Sequence, residues 1–137
     1  MPDRPMPVFP ELDTQPFWDA TKEGKLTYQR CEDCEEVVFT PRQHCTNCGS
    51  DNLATLESKG EGRVYTYSVV RQNRQPAFAE MGAYSVAYID LDEGFRMLST
   101  VVGVGDPTQD ITVGMRVKVD FEAQDSSEYL VPVFRPA

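Results

Sequence analysis

The chain has 137 residues, of which 40% are hydrophobic and 26% charged. That is long enough for one domain, or a small domain with an appended module, and apolar enough to fold, which excludes a disordered polar tail. Its 13 Lys and Arg against 22 Asp and Glu leave a net charge of −9, which opposes a main role on phosphate backbones or anionic membranes, since both reward clustered cations.

Residues 1–11 (MPDRPMPVFPE) are Pro-rich and read as an extended arm that orders on binding. The arm has no apolar core of a secretory signal, and no run of about 18 apolar residues occurs anywhere, so no transmembrane helix is expected. A cytoplasmic location is expected. Residues 13–24 (DTQPFWDATKEG) predict a short helix, with Asp13 or Thr14 as cap, Pro16 in its first turn and Gly24 at its end. A helix this short needs a packing surface, and Phe17, Trp18 and Thr21 supply one.

Residues 25–58 carry all four cysteines. Beyond them the pattern is β-rich. Strands are predicted over 63–70, 84–91, 95–102, 116–122 and 131–134, with Asp92-Glu93-Gly94 as a tight turn. In the fourth, Val117, Val119 and Phe121 alternate with Lys118 and Asp120. Strands this close together, with no helical pattern between them, fit a small closed or partly open barrel, which removes sheet edges. Residues 71–82 form a long link, a length that is uncommon without a function. Residues 103–113 are rich in Gly and Pro. Three segments are therefore expected: arm and helix over 1–24, ribbon over 25–58 and barrel over 59–137.

Cys31-x2-Cys34 and Cys45-x2-Cys48 stand ten residues apart. Each C-x2-C turn brings two thiolates to one point, and two such knuckles give the tetrahedral soft-ligand set that zinc accepts. In a reducing compartment, metal ligation is favoured over disulfides. The spacer is shorter than the roughly 15–20 residues of one common zinc pattern. One structural zinc ion is expected, with iron in a rubredoxin-like site or no metal as the alternatives. A closed four-cysteine site has no open position to activate water. Zinc with four thiolates is net anionic, so Arg30, Arg42 or backbone amides should compensate. Gly49 follows the second knuckle as a tight turn wants, whereas Glu35 occupies the matching place after the first. His44, the single histidine, reads as an exposed loop residue beside Cys45.

The ordered set of Phe17-Trp18, Gly24-Lys25-Leu26, Arg30-Cys31-Glu32-Asp33-Cys34, Phe39-Thr40-Pro41-Arg42, Cys45-Thr46-Asn47-Cys48-Gly49 and Gly60-Glu61-Gly62-Arg63-Val64-Tyr65-Thr66-Tyr67 resembles the domain-of-unknown-function-35 (DUF35) family. Leu91-Asp92-Glu93-Gly94, Val113-Gly114-Met115-Arg116-Val117 and the Pro132-Val133-Phe134-Arg135-Pro136 ending extend the match to roughly residues 12–137. The resemblance implies a rubredoxin-like zinc ribbon followed by a five-stranded OB-fold. It also implies an accessory role in a hetero-oligomer with a thiolase-like enzyme that acts on acyl-CoA thioesters, steroid side-chain aldolases among them. The partner would supply the catalytic residues, and this chain would stabilise it and help enclose the CoA arm. The 103–113 segment departs from the usual OB-fold helix.

On that reading Phe17, Trp18, Phe78 and Met81 are candidate partner anchors. Arg42, Arg71, Arg74 and Arg135 are candidate cations for CoA phosphates. No catalytic residue is expected within this chain: no nucleophile–base pair stands out, and no spacing singles out a pair among Glu80, Asp90, Asp92 and Glu93. The competing reading is a zinc-ribbon and OB-fold module that stacks aromatics on nucleic-acid bases. The net charge and the lack of a Lys/Arg-rich run oppose it.

Overall fold

A computed structural model describes residues 3–11 and 13–137. Residues 1 and 2 of the expected arm, and residue 12 after it, lie outside the described residues. The predicted helix is present but shorter, as α1 (Gln15–Thr21). Thr14 occupies the cap without a side-chain cap bond. The Glu11 carboxylate instead accepts from the Asp13 and Thr14 amides at 3.0 and 2.7 Å and from the Thr14 hydroxyl. The helix ends in a Schellman pair, Lys25 N–H to Ala20 O and Gly24 N–H to Thr21 O, with Gly24 at φ +72°.

The ribbon is a three-stranded antiparallel sheet of β1 (Thr27–Cys31), β2 (Val37–Val38) and β3 (Leu53–Glu57), in the order β2-β1-β3. The barrel is built from β4 (Glu61–Val70), β5 (Tyr84–Leu91), β6 (Arg96–Ser99), β7 (Arg116–Gln124) and β8 (Ser127–Pro136), in the order β6-β5-β4-β7-β8. Each predicted barrel strand has a counterpart. The last is longer than expected, and the third stops at Ser99 and resumes only as a parallel bridge from Val101 to Phe134. No helix occupies 103–113.

Strand β4 pairs with both β5 and β7, and its start needs glycine. A Cβ at Gly62 would lie 2.3 Å from the Asp90 carbonyl oxygen, and one at Gly60 would lie 2.2 Å from Val119 Cγ1. A neighbouring backbone at Gly62 and the Val119 side chain at Gly60 thus stand too close for a Cβ.

Ribbon, helix and barrel share one apolar core. Phe95, from the turn between β5 and β6, stacks on Tyr28 of β1 at 5.0 Å and tilts against Phe39 at 4.9 Å. Phe17 of α1 meets Phe39 at 5.9 Å, and Ile89, Val117 and Phe134 are fully enclosed. Aromatic pairs at these spacings add to plain area burial. At the ribbon–barrel junction the Glu93 carboxylate accepts from Ser58 Oγ and the Lys59 amide, both at 2.8 Å.

The arm differs from its expectation, because it lies docked on the β7–β8 hairpin. The Asp3 carboxylate accepts from the Asp125 and Ser126 amides at 3.1 and 2.6 Å. The Arg4 amide donates to Gln124 Oε1 at 2.9 Å, and its guanidinium pairs with Glu122 at 3.0 Å. Phe9 meets Tyr129 edge-on at 5.2 Å.

Barrel closure fails at one residue. Around the Val101–Phe134 bridge, Phe134 N–H donates to Thr100 O at 2.9 Å and Val102 N–H donates to Phe134 O at 2.8 Å. Two residues earlier in the same register stands Pro132, which has no N–H to offer the Leu98 carbonyl. There Ser99 Oγ donates to Pro132 O at 2.9 Å. The β6–β8 ladder stops, and a seam opens.

Candidate metal centre and apolar groove

The two knuckles are built alike. Cys31 N–H donates to Glu36 O at 2.9 Å and Glu35 N–H donates to Cys31 O at 2.9 Å. Cys45 N–H donates to Ser50 O at 2.7 Å and Gly49 N–H donates to Cys45 O at 3.0 Å. The same turn requires a positive φ at the same place, +66° at Glu35 and +78° at Gly49. Glu35, flagged by the sequence as the poorer turn residue, is the only described non-glycine with a positive φ.

All four Sγ atoms lie within 4.8 Å of one another. Cys31–Cys48 and Cys34–Cys45 are both at 3.6 Å. That is too long for a disulfide and close to the roughly 3.8 Å edge of a tetrahedron with Zn–S bonds of about 2.3 Å. The proton chemistry also calls for a cation. Hydrogen bonds from the Asn47 side chain and the Glu36 amide pull the Cys34 thiol down to about 7. A Ser50 amide pulls Cys48 the same way, but hydrogen bonding with the Cys34 and Cys31 thiols and burial push it up to about 12. Four thiols this close cannot all ionise against one another, and a dication removes that conflict. The donor set and spacing therefore fit zinc, held by Cys31, Cys34, Cys45 and Cys48, where it would cross-link the ribbon.

Compensation comes from a source the sequence reading left open. Asn47 directs its backbone N–H at Cys45 Sγ (3.3 Å) and its Nδ2 at Cys34 Sγ (3.6 Å). Arg30 is exposed, and Arg42 is held through its backbone by the Gln29 side chain at 2.7 and 2.9 Å. His44 is exposed and stands outside the cysteine cluster. The Ser50 hydroxyl donates to Asp33, tying one knuckle to the other.

A second feature is an apolar groove of about 500 Å³ along the seam. The four anchor candidates, Phe17, Trp18, Phe78 and Met81, all line it. Phe17 is also buried core, whereas Trp18 is half-buried. Phe78 reaches the groove because the 71–82 link folds back on β5, where Phe78 stacks on Tyr84 at 5.5 Å and Asn73 Nδ2 donates to the Tyr84 hydroxyl at 2.8 Å. Several of the groove's hydroxyls are engaged: Ser85 bonds Thr100 at 3.1 Å, and Ser99 Oγ donates to Pro132 O. Its one charged lining residue is Arg4, whose guanidinium sits 5.9 Å from the centre of the Phe78 ring.

The four arginine candidates do not line this groove. Arg42, Arg71 and Arg74 are exposed and form no ion pair among the described residues, while Arg135 pairs with Asp120 at 2.6 Å. The carboxylates considered for proton chemistry are engaged structurally, Asp90 with Arg96, Asp92 with Arg116 and Glu93 at the junction. Glu80 is exposed. Sequence reasoning missed Asn47, Arg4 and Leu98 as site residues. The only signal for Leu98 is a proline 34 residues downstream, and register alone gives that meaning.

Known proteins agree with this architecture. Residues 18–54 match the family model described as the ChsH2 rubredoxin-like zinc ribbon domain, and residues 56–122 match the ChsH2 C-terminal OB-fold domain. A probable enoyl-CoA hydratase alpha subunit of Thermomonospora curvata is 38% identical over 134 residues, which is 98% of this chain but 40% of that protein. The chain therefore spans well under half of that relative's length. The benzoylsuccinyl-CoA thiolase subunit BbsA of Geobacter metallireducens is 30% identical over 91 residues, covering 64% of this chain and 60% of BbsA. Among solved structures, the Ltp2-ChsH2(DUF35) aldolase contains a chain that superposes with a TM-score of 0.83 at 36% identity, over 96% of this chain and 98% of that one. The paired cysteine knuckles, the five-stranded near-closed barrel and these matches together place the chain in the DUF35 family, as a ChsH2-type zinc ribbon joined to an OB-fold.

Proposed function

We propose that this chain is a non-catalytic accessory subunit of a thiolase-superfamily enzyme acting on a CoA thioester. It binds and stabilises that partner in a hetero-oligomer and helps enclose the substrate. The observation that carries this reading is the groove in which Phe17, Trp18, Phe78 and Met81 converge, on a chain whose cysteines form a closed cluster and whose candidate carboxylates are mostly engaged in ion pairs or the junction. Aromatic and Met side chains around a concavity are the usual anchors of protein interfaces. The relatives support the reading, because each is a subunit of a larger enzyme or, in the aldolase, half of a named pair. A retro-aldol or thiolysis reaction on a bulky acyl-CoA, as in steroid side-chain degradation, is the reaction class we assign to the complex. The acyl specificity resides in the partner. Arg42, Arg71 and Arg74, exposed and without an ion pair, remain the cations proposed for the CoA phosphates, and Arg135 needs to leave Asp120 to join them.

The test is reconstitution. The purified chain alone should turn over no acyl-CoA. Added to its thiolase-like subunit, it should raise both that subunit's thermal midpoint and its turnover. Turnover by the isolated chain, or no effect on the subunit, contradicts the proposal.

A further inference from the structure

The groove is bordered by a strand edge with unmet hydrogen-bonding capacity. In the β5–β6 ladder, Leu91 N–H donates to Phe95 O, and Ile89 faces Met97 and Ala87 faces Ser99 in register. Antiparallel pairs alternate between bonded and non-bonded. Phe95, Met97 and Ser99 therefore turn their N–H and C=O toward β5, while Arg96, Leu98 and Thr100 turn theirs outward. Thr100 O is taken by Phe134 N–H of β8. Among the described residues Arg96 and Leu98 pair with no second strand: Pro132 lacks the N–H that the register would bring to Leu98 O, and the Leu130 amide that it would bring to Arg96 O is turned to Thr21 Oγ1. The facing edge of β8 is treated differently, since Thr21 Oγ1 of α1 accepts from the Leu130 amide at 3.1 Å. One edge at the seam is covered and the other is open.

The surroundings fit an extended polypeptide. Leu98 is 55% exposed and faces Tyr88, itself 44% exposed. Arg96 lies over the exposed Tyr65 ring at 3.4 Å. This Tyr-Arg-Leu strip continues through Leu98 into the groove, which Leu98 lines together with Trp18, Phe78 and Met81. No carboxylate lines the groove, and its one charged lining residue, Arg4, is paired with Glu122 at 3.0 Å. An apolar lining with its one cation already neutralised is complementary to an apolar segment.

We infer that β6 accepts an extended, apolar segment of the thiolase-like partner as an added strand, hydrogen-bonded to Arg96 and Leu98, with alternate side chains in the groove. Main-chain bonds then give affinity and the groove gives specificity. The inference rests on the accessory-subunit reading and specifies how that subunit docks.

Leu98→Pro separates backbone pairing from side-chain contact. Its missing N–H is the one facing outward, so no bond to β5 is lost. Leu98→Ala keeps the backbone and removes the side chain. With the purified thiolase-like subunit as probe, L98P should weaken assembly roughly tenfold or more, and L98A clearly less. Amide exchange should show Arg96 and Leu98 exchanging fast in the isolated chain and slowly in the complex. Equal binding by L98P, equal loss in L98A and L98P, or unchanged exchange at 96 and 98 in a complex that does form overturns strand addition and leaves the accessory role standing. Should L98P fail to fold, the wild-type exchange pattern decides. Failure of the wild-type chain to assemble overturns both.

Discussion

Glu35 and Gly49 hold equivalent places in two equivalent turns, which permits a matched pair of substitutions. At φ +66°, Glu35 sits where an L side chain crowds its own backbone, a conformation that costs about 1–2 kcal/mol. Its side chain makes no hydrogen bond or ion pair among the described residues, so Glu35→Gly removes that strain and loses no such contact. Against this stands the greater freedom of glycine in the unfolded chain, about 0.4–1 kcal/mol. The net expectation is a stabilisation of roughly 0.5–1 kcal/mol. Gly49→Ala is the converse. A Cβ there meets nothing within 4 Å, so the change is pure backbone and should destabilise by a similar amount. Because metal binding and ribbon folding are one equilibrium, zinc affinity should rise about threefold in E35G and fall about threefold in G49A. Urea unfolding and chelator competition read both quantities. A destabilised E35G or an unaffected G49A would refute the reading of the two knuckles as one strained and one relaxed copy of the same turn.

Metal analysis should find one zinc per chain, and Cys48→Ser should lose it and unfold the ribbon; iron in that place, or a metal-free folded ribbon, contradicts the assignment. Phe95→Ala should cost about 3–5 kcal/mol in denaturant unfolding, since it empties the contact shared by Tyr28 and Phe39; a loss under about 1 kcal/mol would mean that ribbon and barrel are not joined there. The Arg116 guanidinium bonds Asp92 and holds its carboxyl below its ordinary 3.8. A depressed folded value contributes stability above about pH 4 that is lost as pH falls through it. The stability difference between wild type and Asp92→Asn should therefore shrink below pH 4, and a difference that grows on acidification would contradict the ion pair. Trp18→Ala should weaken assembly more than folding, compared by partner binding and thermal melting; unchanged binding removes Trp18 as an anchor.

What could be read from the residues alone was what local chemistry dictates. Cysteine spacing announced the metal centre, and alternation in 116–122 announced a barrel strand. The Pro-rich arm misled, because prolines signal an extended chain but not whether its flanking Asp3 and Arg4 find amides and Glu122 across the fold. Phe17, Trp18, Phe78 and Met81 were legible as anchors by type, but their convergence depends on the 71–82 link folding back on Tyr84. The open edge of β6 was invisible for a similar reason. Pro132 reads as a residue in a short terminal strand, and its effect on Leu98 exists only in the parallel register fixed by Val101 and Phe134.

Native mass spectrometry of the assembly captured on this chain from its source cells tests the central claim most directly. The account predicts a thiolase-like subunit at a defined stoichiometry, with one zinc ion per copy of this chain. A chain that emerges zinc-loaded but alone, across several growth conditions, would contradict it.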